Sequence, residues 1–149
     1  MRVVLQRVSK ASVAINGKIY NEISNGFLLF VGFEEGDGIT EIKYLVHKIS
    51  QLRIFSDSEG KMNLSISQVK GEILSISQFT LYAALKKGNR PSFTAAQNPQ
   101  AAKDNYIMFN KALGQEKIVV KEGIFGADMQ IALVNDGPVT IIYDTDNLK

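Results

Sequence analysis

The sequence predicts an α+β domain in which a mixed, mainly antiparallel β-sheet carries two principal amphipathic helices. Three observations predict it. Several segments alternate apolar and polar residues or run continuously apolar for about one strand length. Only two stretches repeat apolar residues at helical three- and four-residue steps. The two kinds of segment interleave without a regular strand-helix-strand rhythm. At 149 residues the chain suits one core, and a single domain is expected over 1–149.

Residues 3–20 alternate and are interrupted by Asn16-Gly17, the dipeptide that accepts positive φ at both centres of a two-residue hairpin turn. Two paired strands are expected there. A third strand over 26–31 contains Phe27, Leu28, Leu29 and Phe30 in succession, so both its faces should be covered and its place should be central. Asp37 or Thr40 is positioned to cap a helix whose stripe is Ile42, Leu45, Val46, Ile49 and Leu52. Arg53-Ile54-Phe55 reads as a short strand entering the turn Asp57-Ser58-Glu59-Gly60. Residues 73–79 alternate strictly between apolar and small polar side chains, the pattern of a half-buried strand. Asn98-Pro99 offers a cap and first turn for a second helix, with Ala102, Tyr106, Phe109 and Leu113 on one face and Gly114 as its stop. Two last strands, 129–134 and 139–143, flank Asn135-Asp136-Gly137-Pro138, and the polar tail 144–149 should fray.

Composition narrows the chemistry. The chain is 45% hydrophobic and 21% charged, with no cysteine, so disulfides, thiolate nucleophiles and cysteine zinc sites are excluded and a reducing, cytosolic setting is expected. The strongest apolar run, 27–33, is too short to cross a bilayer, and the N-terminus lacks the pattern of a signal peptide. His47 is the single histidine, on the polar side of the first helix, so a histidine-rich metal site is impossible and a Ser-His-Asp triad unsupported. No glycine-rich nucleotide loop is present; no cofactor and no metal are expected. Glu34, Glu35 and Asp37 lack EF-hand spacing and read as a solvated loop. Net charge is +2, so any RNA contact must be local; Lys86, Lys87 and Arg90 are the tightest basic group, although spacing alone favours an ordinary solvated loop.

Two segments carry chemistry. In Ser77-Gln78-Phe79-Thr80-Leu81 a strand ends on a hydroxyl, an amide, a ring and a second hydroxyl, where main-chain N–H groups leave the ladder and can bind an oxyanion; an edge strand with a polar side explains the pattern equally well. Asn135-Asp136-Gly137-Pro138-Val139-Thr140 reads by default as a tight turn. A Gly-Pro bond also adopts cis at modest cost, which would turn two carbonyl oxygens the same way, toward an ammonium group.

Together these segments resemble the D-aminoacyl-tRNA deacylase family, in which Ser-Gln-Phe-Thr-Leu and Asn-x-Gly-Pro-Val-Thr are the defining pair. Further blocks resemble the family in order: Leu5-Gln6-Arg7-Val8, Arg53-Ile54-Phe55-Ser56-Asp57, Gly60-Lys61-Met62-Asn63, Arg90-Pro91-Ser92-Phe93 and Phe125-Gly126-Ala127-Asp128-Met129. The resemblance implies an enzyme that hydrolyses the ester of D-aminoacyl-tRNA. It also implies a homodimer in which a cis Gly137-Pro138 bond, buttressed by Arg7, enters the Ser77 to Leu81 pocket of the other subunit. There its carbonyl oxygens would hold the α-amino group and its backbone would exclude an L side chain, while glycine would leak through. The N–H groups of Phe79 and Thr80 would hold the oxyanion, Gln78 would position the ribose, and Phe79, Phe125 and Met129 would line the adenine pocket. Thr80 has no evident base, so assistance from the terminal 2′-hydroxyl is the expected mechanism. A non-catalytic nucleic-acid-binding factor is the alternative.

Overall fold

The computed structural model describes residues 1–147. It opens with β1 (Arg2–Ile15) and β2 (Lys18–Ile23), joined by Asn16 and Gly17 at φ +52° and +76°, the positive pair a tight hairpin requires. β3 (Gly26–Gly32) continues the line of β2, so that β1 pairs with β3 over its first half and with β2 over its second. β6 (Glu72–Ser77) then lies parallel to β3, and β7 (Val119–Glu122) parallel to β6. β8 (Gln130–Asp144) flanks the other side of β1, antiparallel along its whole length. A separate ribbon, β4 (Arg53–Ser56) with β5 (Met62–Ser65), sits against the core, where Phe55 stacks on Phe27 at 5.2 Å.

Both helices, α1 (Ile39–Ser50) and α2 (Pro99–Gln115), cover one face of the sheet. Val3, Leu5, Phe27 and Leu29 from the sheet meet Ile42, Leu45 and Ile49 from α1 and Tyr106, Phe109 and Leu113 from α2. A second cluster on the opposite face joins Leu28, Leu74 and Ile76 to Val8, Ala11, Val13 and Ile23. β1 contributes to both clusters: Val8 faces away from Val3 and Leu5 by plain alternation, and a register shift against β8 between Val8 and Lys10 keeps Ala11 and Val13 on the same side as Val8. A strand's side chains alternate with period two, so a bulge moves the following residues to the other face.

Several expectations are corrected. Neither Asp37 nor Thr40 caps α1; Gly38 does, with its N–H donating to Glu41 at 3.0 Å. Asp37 instead accepts from the Met1 ammonium at 2.7 Å and from the Glu34 N–H at 2.7 Å. Gly114 does not stop α2, which runs to Gln115 before Lys117, at φ +61°, turns the chain. β6 is not half-buried: Ser75 is fully buried, because Ile73 on its own face packs in the helix-side cluster and Leu74 and Ile76 on the other face pack in the second. The segment after Met129 is one fifteen-residue strand and no hairpin. The tail is anchored at Thr145, which is buried and accepts from the Met1 ammonium at 2.7 Å; Leu148 and Lys149 lie outside the described residues. No helix among the described residues is long and apolar enough to cross a membrane.

Candidate active site

The parallel pair β3 and β6 determines where a pocket can form. Loops leaving the carboxyl ends of adjacent parallel strands diverge and open a crevice between them. Here β3 ends at Gly32 and β6 at Ser77, and beyond them lies a pocket of about 300 Å³ whose walls include Ser77, Gln78, Phe79, Phe125 and Met129.

Gln78 extends the ladder by one bond, its N–H donating to Val31 C=O at 2.7 Å. The chain then tightens into a 3₁₀ turn over Phe79–Tyr82, whose first N–H groups, those of Phe79 and Thr80, have no acceptor within the turn. Gly32 permits this close packing: a Cβ there would meet Gln78 C=O at 2.8 Å and the Leu81 side chain at 3.3 Å. Arg2 fixes the far end of the turn. Its guanidinium donates to Leu81 C=O at 2.9 Å and to Asp144 at 2.9 Å, and lies 4.5 Å from the Tyr82 ring centre. Burial raises the Tyr82 hydroxyl pKa, as do the nearby Asp37 and Glu34 carboxylates.

Thr80 is exposed beside the pocket, and its Oγ1 accepts from Gln78 Nε2 at 2.6 Å. Phe79 is 58% exposed and meets Phe93 edge-on at 5.0 Å. On the opposite wall Phe125 leans on Tyr106, with ring centres 6.0 Å apart. The Tyr106 hydroxyl, pushed up to about 12 by burial, donates to Ser75 C=O at 2.7 Å. His47 is exposed on α1 and is not among the pocket residues.

The sequence reading missed Gln97 in the pocket wall. Its N–H donates to Phe33 C=O at 3.0 Å, its Nε2 to Asp37 C=O at 3.1 Å, and its Oε1 accepts from Asn105 at 2.9 Å. The only sequence cue was its position just before the Asn98-Pro99 helix start. Gly32 was also missed, although a glycine closing an apolar strand is a signal of close backbone approach.

Arg7, Gly137 and Pro138 form a second group elsewhere. Val8 pairs with Asn135 and Gln6 with Thr140, so 136–139 bulge out opposite Arg7. Arg7 is buried and donates to Asp136 C=O at 3.0 Å and to Ile54 C=O. Asn135 closes the bulge, accepting from Val139 N–H at 3.0 Å and donating to Thr140 at 3.0 Å. The Gly137-Pro138 bond is cis and both residues are exposed. Through the strand registers, Gly137 stands three strand spacings and about four residues from Ser77, roughly 20 Å away.

Residues 4–144 match the model of the family described as D-Tyr-tRNA(Tyr) deacylase. The chain belongs to that family. As a D-Tyr-tRNA deacylase family member it is a hydrolase of the aminoacyl-tRNA ester. A solved structure described as "c-Myc DNA Unwinding Element Binding Protein" is 38% identical, with a TM-score of 0.90 over 97% of this chain and 98% of that one. Another, described as "Structural Analysis of a probable eukaryotic D-amino acid tRNA deacylase", shares the deacylase fold at 17% identity, with a TM-score of 0.80 over 95% of this chain and 97% of that one.

Proposed function

We propose that the protein is a cytosolic chiral proofreader, removing D-amino acids and mischarged glycine from tRNA at sites shared between two identical subunits. The observation that carries this reading is the convergence of Ser77, Gln78, Phe79, Phe125 and Met129 on one pocket, beside which a 3₁₀ turn opens with the main-chain amides of Phe79 and Thr80. A tetrahedral intermediate develops negative charge on the former carbonyl oxygen. Fixed N–H donors aimed at that position, here those of Phe79 and Thr80, stabilise it without reorganisation. Gln78 orients the terminal ribose, and the apolar wall of Phe125 and Met129 takes the adenine. The direct test is release of D-tyrosine from D-tyrosyl-tRNA by the purified protein. The 38% identical structure, described as binding a DNA element, favours a second reading, a non-catalytic nucleic-acid-binding factor; tight nucleic-acid binding by a folded protein with no deacylation would select it.

Thr80 acts as a positioning residue and the 2′-hydroxyl of the terminal adenosine assists attack by water. The Thr80 oxygen already accepts a bond from the Gln78 amide, an arrangement that supplies no base. Thr80→Ala should therefore retain a rate within about tenfold of wild type, whereas a 2′-deoxy terminal adenosine should slow deacylation at least about a hundredfold, the usual scale of a lost proton-transfer partner. Single-turnover measurements on the two substrates decide it, and the reverse order of effects would make Thr80 the nucleophile.

The second subunit supplies Gly137 and Pro138, which the same chain holds roughly 20 Å from its own pocket. β8 favours association: it lies at the sheet edge, and Val134 and Ile142 on it are 45% and 71% exposed. Exposed edge strands are covered in stable proteins. Subunits carrying Gln78→Ala mixed with subunits carrying Gly137→Ala should regain about a quarter of wild-type activity, because half of randomly formed dimers carry one intact site out of two. No recovery after confirmed exchange would mean each site is self-contained.

A further inference from the structure

We propose that residues 84–92 form a cationic finger that grips the phosphate backbone of the tRNA next to its aminoacylated end. This rests on the deacylase reading of the pocket but concerns a surface outside it. Ala84 and Ser92 form an antiparallel bridge, with Ala84 N–H donating to Ser92 C=O at 2.8 Å and Ser92 N–H returning at 3.0 Å. The chain between them is therefore a closed loop projecting from the body, and every residue from 84 to 95 is exposed.

Both feet of the finger stand on the pocket rim. One foot is the 3₁₀ turn over Phe79–Tyr82, which carries the candidate oxyanion amides. The other runs from Phe93, in edge contact with Phe79, to Gln97, which lines the pocket and bonds to Phe33. From Ala84 to Lys87 is three residues, at most about 11 Å of chain. The cations thus lie within reach of the phosphates that adjoin a terminal adenosine seated in the pocket.

The charge distribution favours an anionic partner. Lys86, Lys87 and Arg90 have no ion-pair partner among the described residues. Residues 73–103 contain these three and Lys103 and no carboxylate side chain, so the rest of the chain holds 13 basic against 15 acidic side chains. A weakly charged protein thus carries a local surplus of cations, Lys86, Lys87 and Arg90, beside one pocket, where they can steer and hold a polyanion through short-range contact. Exposed Phe93, 37% accessible beside Phe79, adds a ring on which an unpaired base can stack.

The test combines binding with turnover. The triple variant Lys86→Ser, Lys87→Ser, Arg90→Ser should bind deacylated tRNA at least about tenfold more weakly near 0.1 M salt. Its plot of log affinity against log salt should be shallower by about two units, the slope lost with three phosphate contacts. On D-tyrosyl-tRNA its KM should rise with kcat unchanged, and on D-tyrosyl-adenosine, which has no phosphate, it should match wild type. Lys86→Arg with Lys87→Arg should restore tRNA binding. Unchanged tRNA affinity and KM in the triple variant, or an equal loss on both substrates, overturns the finger. If the wild-type protein hydrolyses neither substrate while the triple variant still loses tRNA affinity, the deacylase reading falls and the finger stands.

Discussion

D-tyrosyl-tRNA should lose its amino acid at least about a thousandfold faster than L-tyrosyl-tRNA when the two are assayed side by side, a difference of only about 4 kcal/mol. Inverting the α-carbon exchanges hydrogen for side chain, so a wall fitted to the hydrogen rejects L-residues whatever their identity. The bulge at Gly137-Pro138 has the rigidity such a wall needs: Arg7 holds it from below and Asn135 closes it. Its geometry tolerates little change, since a Cβ on Gly137 would lie 2.8 Å from the Val139 side chain and 2.9 Å from the Arg7 guanidinium. Glycyl-tRNA, having no side chain to exclude, should be hydrolysed at a rate closer to the D than to the L substrate. Comparable rates on the D and L substrates would remove the steric argument.

Gly26→Ala should be the most damaging single-methyl substitution to the fold. A Cβ at Gly26 would lie 1.8 Å from the carbonyl oxygen of Glu72 and 2.8 Å from its carbonyl carbon. Those are main-chain atoms in the first rung of the β3–β6 ladder, so no side chain can move aside and the two central strands must part. Large mutational losses arise from such overpacking of an ordered core, and more than about 4 kcal/mol is expected here. Typical total stability is about 5–15 kcal/mol, so the variant should be largely insoluble or unfold at much lower denaturant. A soluble variant with a midpoint within about 0.5 M urea of wild type, at a usual slope of about 1–3 kcal/mol per M, would contradict the expectation.

Much of the fold was legible because local rules governed it. Asn16-Gly17 marked a hairpin, the apolar run at Phe27 marked a central strand, and Asn98-Pro99 marked a helix start with the Asn98 side chain accepting from Gln100 N–H. The errors arose where long-range pairing decided the outcome. Ser75 and Ser77 suggested a wetted face for β6, yet Ser75 shares with Ile73 the face that the helices cover and is fully buried. Asp136-Gly137-Pro138 suggested a turn, but β1 pairs with the residues on both sides of it and makes it a bulge in one strand. At the site, the motifs named Ser77, Gln78, Phe79, Phe125 and Met129, which the fold brings to one pocket, and Thr80, which is not among its lining residues. Gln97 could not be named in this way, because its place depends on how the 84–92 excursion folds back onto β3.

The pairing of β1 with β8 also bears on biogenesis. β1 has this partner more than a hundred residues further along the chain, and contacts of such separation form slowly. Until β8 has been synthesised and has left the ribosome, nascent β1 presents an unzipped edge, the condition under which growing chains aggregate and chaperones intervene. Pairing of β1 with β8 is therefore a late step in the folding of this sheet, and truncation within β8 should leave a persistent client of the folding machinery.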